Sequence, residues 1–495
     1  MRSVSFEQIR QRLMVENPWW TPPHRIHTAF EGLRPRPYLD LLYPLISNRD
    51  VRRAVLLMGS RRVGKTVMMH HVIKELLQND VSPNHICYFS VDHPVYNGLS
   101  LDELLEAYKG ATETDYSSEE CFVFFDEIQY RRDWETHLKL LVDTYPAVKA
   151  VASGSAAAAL KLKSNESGAG RFTDFLLPPL TFHEYLVLLG REDLIFVEEN
   201  EEGLKYVVDD IAELNEQFIG YMNFGGYPEV VLSKEIQADP TRYIKGDIVD
   251  KVLLRDLPSL YGIADIQELN SLFTTLALNT AQEISLQELS QKANVEKPTI
   301  VKYINYLEAA FLVKRVYRVD NNAKRFKRQT HFKVYLTNPS MRSALFSPIG
   351  KNDQFLGHLT ETAIFAQWFH ADRIHLHYAR WSKSKEVDIV ILDARQKVDQ
   401  IIEIKWSDRY TIAPQRKLKS LLEFAHTHSL RKAIITTKTG FKLEALNSVD
   451  LHFIPASLYC FIVGYSIVTG KHWLTKLLNK EDQTHTYAQI EIVNS

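Results

Sequence analysis

The residues with the most chemistry in their spacing are Gly59, Gly64, Lys65 and Thr66, which occupy the fixed places of a G-x-x-x-x-G-K-[ST] loop. In such a loop the backbone of Gly59, Ser60, Arg61, Arg62, Val63, Gly64, Lys65, Thr66 and Val67 wraps a phosphate chain with inward-turned N–H groups. Glycine is required where a Cβ would block that turn. Lys65 is placed to reach the β- and γ-phosphates and Thr66 to ligate Mg²⁺, so the expected cofactors are ATP and Mg²⁺. A second set follows downstream, where the apolar run Cys121-Phe122-Val123-Phe124-Phe125 ends in Asp126-Glu127. Asp126 is expected to hold the magnesium shell, and Glu127 to deprotonate the attacking water as general base.

A third set lies near the C-terminus. Asp388 and Glu403 are equally far from a turn centred between Arg395 and Gln396, so a symmetric hairpin sets them opposite one another. Two facing carboxylates repel unless a cation lies between them. Lys405, two residues after Glu403, shares its sheet face. This is the D…E-x-K order of metal-dependent nucleases, in which carboxylates hold Mg²⁺ and the lysine stabilises phosphorane charge. Glu361, on the helix expected over residues 359–369, is a further candidate ligand, and Gln415 a candidate assistant.

These residues need particular elements to hold them. The apolar run ending in Met58 reads as a buried strand, and residues 65–77 carry apolar side chains at helical spacing (Val67, Met68, Val72, Ile73, Leu76). The helix start adds its partial positive charge to the phosphate site. Residues 85–92 and 148–152 read as further strands, the latter leading to Ser153-Gly154-Ser155 with hydroxyls near the phosphate. Strands alternating with helices imply a mainly parallel, doubly wound sheet of the additional-strand type, with ligands at the carboxyl ends of its strands. Before it, Asn17-Pro18-Trp19-Trp20-Thr21-Pro22-Pro23 reads as a packing segment. Glu198-Glu199-Asn200-Glu201-Glu202 reads as a solvated linker.

Further on, residues 286–293 and 298–309 form a helix pair with one apolar stripe (Ile300, Ile304, Leu307), and residues 311–317 are β-rich. That is the order of a winged helix-turn-helix, with Lys297, Thr299, Lys302, Tyr303 and Tyr306 expected to face outward. Lys324-Arg325-Phe326-Lys327-Arg328 adds a basic cluster suited to phosphates.

Composition narrows the rest. Lys+Arg 59 against Asp+Glu 61 gives a net charge of -2, so any nucleic-acid site is a local patch. Three widely separated cysteines (Cys87, Cys121, Cys460) argue against a disulfide framework. The first residues lack an apolar leader, and the longest apolar run, near residues 458–468, is too short to span a bilayer. The expected location is the cytoplasm, without membrane partners.

The loop at Gly59 to Thr66, Phe125-Asp126-Glu127-Ile128-Gln129, Ser153-Gly154-Ser155, and Gly170-Arg171 followed by Leu177-Pro178-Pro179-Leu180-Thr181-Phe182-His183-Glu184-Tyr185 resemble the prokaryotic AAA-type P-loop ATPases that carry a C-terminal domain of unknown function with a restriction-endonuclease-like fold. The resemblance covers about residues 38–455 and includes Gly225-Gly226-Tyr227-Pro228-Glu229. It implies that Arg171 serves as sensor or arginine finger. The expected fold class is α/β: a parallel AAA-type sheet, a helical lid, a winged helix and a C-terminal α/β nuclease-like domain. The expected boundaries are 1–45 for an N-terminal extension, 46–195 for the ATPase core and 196–275 for the lid. They continue with 276–335 for the winged helix, 336–455 for the nuclease-like domain and 456–495 for a tail. The expected function is a Mg-dependent ATPase coupled to a DNA-binding, nuclease-like module, with DNA, a protein partner or further copies of the chain as partners. The alternative is an ATP-dependent regulatory scaffold whose nuclease-like domain is inactive.

Overall fold

The computed structural model describes residues 5–154, 170–200, 203–325, 330–371, 374–470 and 489–492. The chain forms two compact units, residues 1–178 and 179–495.

The first unit is built on five parallel strands, β1 (Ala54–Met58), β2 (Ile86–Ser90), β3 (Cys121–Asp126), β4 (Val148–Gly154) and β5 (Phe172–Leu176), in the order β2-β3-β4-β1-β5. β1, β3 and β4 are buried along their whole length, as near-continuous apolar runs require of central parallel strands. β4 separates the loop-bearing β1 from the acid-bearing β3, the additional-strand order expected from the sequence. The aromatic N-terminal segment closes the free edge of β2. Asn17 accepts from the Tyr88 N–H at 2.6 Å and donates to the Tyr88 carbonyl at 3.0 Å. The indoles of Trp19 and Trp20 both donate to the Ile86 carbonyl, at 3.0 and 2.8 Å. An edge strand otherwise offers those groups to any passing strand.

The second unit holds two sheets. A three-stranded one joins β6 (Ile195–Asn200) and β7 (Gly203–Val208) to β17 (Gln489–Ile492). The acidic stretch expected as a linker therefore contributes a strand: alternating Ile195 and Val197 give it an apolar face, while Glu201 and Glu202 lie outside the described residues. The larger sheet comprises β8 (Glu283–Ser285), β9 (Val313–Val319), β10 (His331–Leu336), β11 (Leu376–Ser382), β12 (Lys385–Leu392), β13 (Val398–Glu403), β14 (Lys432–Thr437), β15 (Lys442–Leu446) and β16 (Val449–Pro455). Its order is β15-β16-β14-β13-β12-β11-β9-β10-β8.

The helix pair Leu286–Ala293 and Lys297–Ala309 precedes the antiparallel hairpin β9–β10, with β8 on the outer side of β10. A residue boundary at 335/336 does not divide this unit structurally, because β9 also pairs in parallel with β11 (His377 opposite Tyr317). The open edge of the hairpin is consumed in one continuous sheet. Tyr303 differs from its expected outward placement. It is only 7% exposed, one position before Ile304 on the buried side of the helix, whereas Lys302 stays exposed.

The expected tail from residue 456 is likewise corrected. Its first part is the helix Ala456–Thr469, in which eleven residues are buried, from Ala456 through Gly464 together with Ser466 and Val468. A helix apolar on every side has no solvent face and belongs in a core. It packs on the helices Phe182–Leu189 and Leu356–Trp368, so Phe182–Leu189, expected within the ATPase core, belongs to the second unit. The Gln367 amide fixes this packing by accepting from the Phe182 N–H at 2.9 Å.

Candidate functional site

In the first unit the phosphate loop leaves β1 at Gly59 and enters the helix Lys65–Gln78 at Gly64, whose φ of 95° suits glycine alone. A Cβ at Gly59 would overlap the carbonyl oxygen of Leu177, so this glycine is fixed by the backbone crossing behind it. The Lys65 ammonium, 5% exposed, donates to the carbonyls of Gly59 (3.2 Å) and Ser60 (3.0 Å) and so stands inside the loop.

Asp126 ends β3, and its carboxylate accepts from three hydroxyls: Thr66 at 2.7 Å, Tyr88 at 2.7 Å, and Ser153. Thr66 and Asp126, 60 residues apart, thus meet at one point and present the hard oxygen donors that Mg²⁺ prefers. The residues present fit that ion. Glu127 adopts a left-handed backbone (φ 56°), an uncommon state for a residue with a Cβ. Its N–H donates to Ser153 Oγ at 3.1 Å, and its carboxylate accepts from the Gln129 amide. Ser153 therefore orients both acids rather than reaching for phosphate.

Two members of this site escaped the sequence reading. Tyr88 lies on β2 two residues before Ser90, which is in register with Asp126. Strand parity puts it on the face of Ser90, but only the strand order reveals that the face looks toward Asp126. Burial, then the Asp126 charge, hold its phenol far above the usual range, so it remains a donor. The second is Arg36, 5% exposed, which donates to the Val63 carbonyl at 2.9 Å. In a trans peptide the carbonyl and the following N–H point in opposite directions. Pinning the Val63 carbonyl to Arg36 therefore turns the Gly64 N–H toward the loop interior. Arg36→Met is expected to raise KM for ATP by roughly tenfold, the worth of about one charge-assisted hydrogen bond, with a smaller change in kcat and partial rescue in Arg36→Lys. Steady-state kinetics that leave KM unchanged would remove Arg36 from the site.

Arg171 is not brought to this loop. Its carbonyl accepts from the Ala54 N–H at 2.9 Å, which places it where β1 and β5 begin. The loop lies at the other end of β1, about 15 Å away at ~3.3 Å per residue. Its guanidinium pairs with Asp143 at 3.1 Å, both side chains 43% exposed. The expectation of a sensor beside its own nucleotide is corrected by that position in the strand.

In the second unit the hairpin of β12 and β13 runs in the register Ile389 opposite Ile402, Val390 opposite Ile401 and Ile391 opposite Gln400. Carried one step further, this register sets Asp388 opposite Glu403, although the turn itself is centred on Arg395, with Leu392 opposite Val398. A bulge after Ile391 absorbs one residue near the turn. The Lys405 ammonium lies between the acids, 3.1 Å from Asp388 and 2.8 Å from Glu403. Burial, then the Asp388 charge, push the Glu403 carboxyl up to about 7. Burial also opposes charge on Asp388, but Lys405 and Lys333 outweigh it and hold that carboxyl below its ordinary value.

Glu361 is placed differently from the expectation that it completes a metal set. Its carboxylate accepts from the Lys333 ammonium at 2.8 Å and the Tyr335 hydroxyl at 2.7 Å, so an ammonium already neutralises it. Among the described residues, no group of three or more His, Cys, Asp or Glu is gathered in a way that would hold a metal. What this centre offers is the pair Asp388 and Glu403, and Glu403 Oε2 is buried without a hydrogen-bond partner. The Lys405 ammonium already lies between this pair, and the orphaned Glu403 oxygen is the one acceptor it leaves unmatched. Gln415 is exposed at the start of the helix Pro414–Lys417. Lys333 and Glu386 were missed because β10 lies far upstream and nothing in its spacing points to β12.

The basic stretch is partly visible: Lys324 and Arg325 are exposed, while Phe326, Lys327 and Arg328 lie outside the described residues. Among the described residues no helix is long and apolar enough to cross a membrane.

Comparison with known proteins bears on both units. A family model described as an AAA domain matches residues 51–186, and one described as a domain of unknown function (DUF8612) matches residues 215–353. An uncharacterized protein of Methanocaldococcus jannaschii is 25% identical over 327 residues, covering 64% of this chain and 67% of that protein. One from Haemophilus influenzae is 24% identical over 375 residues, covering 74% and 85%. Among solved structures, the ORC2 protein of Aeropyrum pernix superposes with a TM-score of 0.39 and 16% identity, over 66% of this chain and 96% of that one. The AAA-domain match thus falls on the part of the chain that carries the phosphate loop and the Asp126–Glu127 pair, and it runs a few residues past the end of the first unit.

Proposed function

We propose that this protein hydrolyses ATP with Mg²⁺ in its first unit and couples that turnover to a DNA-binding, nuclease-like module in its second. The observation that carries the ATPase half is the meeting of Thr66 with Asp126 beside a buried Lys65. Lys65 holds the β- and γ-phosphates, and the N–H groups from Arg61 to Thr66 close around them. Thr66 and Asp126 hold the magnesium, which when bound neutralises charge on the transferring phosphoryl group. Glu127, oriented by Gln129 and Ser153, takes a proton from water as its oxygen attacks the γ-phosphorus. The bond to the β-phosphate oxygen breaks, leaving ADP and inorganic phosphate.

The second half rests on the convergence of Asp388, Glu403 and Lys405. Their setting supports a restriction-endonuclease-like fold: a helix (Leu356–Trp368), three antiparallel strands, a helix (Lys419–Thr427) and then β14 in parallel with β13. Asp388 and Glu403 hold one divalent cation, which would stabilise phosphorane charge and activate water, while Lys405 adds positive charge on the same side. The regulatory-scaffold reading draws on the two lysines that already balance the acids here. The three described cysteines are buried and free, which supports the cytoplasm as the compartment.

DNA contact is assigned to the exposed Lys297 and Lys302 of the second helix and to Lys324 and Arg325. Replacing Lys302, Lys324 and Arg325 by Gln is expected to weaken duplex binding and flatten its salt dependence by about 0.9 log-log units per lost contact. Isotherms that match the wild type from low to high salt would assign these helices to protein contacts.

A further inference from the structure

One stretch of chain takes the outward backbone groups of the edge strand β2. Glu16 accepts from the Ser90 N–H at 3.5 Å, Trp19 and Trp20 hold the Ile86 carbonyl, and between them Asn17 takes both the N–H and the carbonyl of Tyr88. Asn17 is wholly buried, and its amide also donates to the Leu13 carbonyl at 2.9 Å, which fixes it in turn. The ring of Tyr88 is held as well. It lies 4.7 Å, centre to centre, from the ring of His70, which stacks on Phe30 at 4.3 Å and meets Trp19 edge-on at 6.1 Å. His70 follows Thr66 by one helical turn and so shares its face of the helix Lys65–Gln78. From this grip the Tyr88 hydroxyl reaches Asp126 Oδ2 at 2.7 Å.

Oδ2 also accepts from Thr66, while Oδ1 accepts from Ser153. A carboxylate has about four lone-pair sites. Two hydroxyls fill those of Oδ2, so the site left open is on Oδ1, and Thr66, being a donor here, keeps its own lone pairs for an ion. A carboxylate free to turn offers either oxygen; one held in this way offers a single oxygen in a single direction. Tyr88 is 4% exposed, so solvent does not supply a substitute donor. We propose that Tyr88 is a positioning residue of the magnesium site, and that the N-terminal segment from Asn17 to Phe30 acts on that site through it. The tryptophan- and proline-rich stretch thereby sets the orientation of a metal-binding carboxylate in addition to covering a sheet edge. The inference rests on the magnesium reading given above for Thr66 and Asp126.

The test is the Mn²⁺ affinity of the full chain with ADP bound, read from the electron paramagnetic resonance of free Mn²⁺ with protein in excess over nucleotide. The same titration on Asp126→Ala supplies the background from the rest of the chain. Tyr88→Phe keeps the ring against His70 and removes only the hydroxyl. It is expected to weaken Mn²⁺ binding by about 10- to 100-fold, as loss of an outer hydrogen bond to a metal-holding carboxylate does. ADP affinity in excess EDTA should change by less than about threefold. Asn17→Ala alters no group that touches Asp126, yet it is expected to weaken Mn²⁺ binding in the same direction. In a Tyr88→Phe background it should add nothing, because both changes act through one hydroxyl. Asn17→Ala is at risk of loosening the sheet edge, so melting curves accompany it and Tyr88→Phe stands as the independent arm. No ADP-dependent Mn²⁺ binding by the wild type above the Asp126→Ala background would defeat the magnesium reading itself. Wild-type Mn²⁺ affinity in Tyr88→Phe, or an equal loss of ADP affinity in EDTA, would overturn the role of Tyr88 alone. Additive losses in the folded double variant would overturn the part given to the N-terminal segment.

Discussion

Glu127→Gln is expected to bind ATP as tightly as the wild type and to lose about 10²- to 10⁴-fold in kcat, the usual contribution of a positioned general base. Gln keeps the size of the side chain and one carbonyl oxygen, so the Gln129 contact and the left-handed backbone at residue 127 can persist. What it loses is the capacity to take a proton. Asp126, one residue away, does not substitute, because its carboxylate is already engaged by the Thr66, Tyr88 and Ser153 hydroxyls. Single-turnover hydrolysis beside a nucleotide-binding isotherm checks this. Equal rates for both proteins would assign the proton to another acceptor.

Lys65→Ala is expected to act one step earlier. The Lys65 ammonium is buried among loop carbonyls, with little solvent to replace it beside a triphosphate. Truncating one side of a desolvated charge pair costs about 2–5 kcal/mol, or ~30- to 4,000-fold in affinity. The two variants should separate cleanly. Lys65→Ala fails to hold ATP, whereas Glu127→Gln holds it without turnover. Wild-type ATP affinity in Lys65→Ala, measured by titration calorimetry, would contradict the phosphate assignment.

How far these features could be read from the chain follows from how local each one is. The Gly59 to Thr66 loop was legible because its glycines, lysine and hydroxyl act through their own backbone, within a single strand-to-helix turn. Asp388 opposite Glu403 was legible only in its outcome: the turn is centred on Arg395, with Leu392 opposite Val398, and the bulge between Ile391 and Leu392 supplies the one-residue shift that sets the two acids facing each other. Tyr88, Arg36 and Lys333 were not legible. Each reaches its partner across the sheet or from a distant segment, and strand order is not written in local spacing. Arg171 shows the converse, since a family pattern supplied a role that its place at the start of β5 does not support beside the nucleotide. The buried helix Ala456–Thr469 could have been recognised from its unbroken apolar composition, which no exposed tail sustains.

The most direct test of the coupling between the two units is steady-state ATP turnover by the full chain, with Mg²⁺, in the presence and absence of duplex DNA. The account predicts that DNA changes kcat or KM by about fivefold or more, a coupling of roughly 1–3 kcal/mol, and that the effect disappears when Lys302, Lys324 and Arg325 are replaced by Gln. Identical turnover with and without DNA, in a protein whose ATPase is lost in Glu127→Gln, would contradict it.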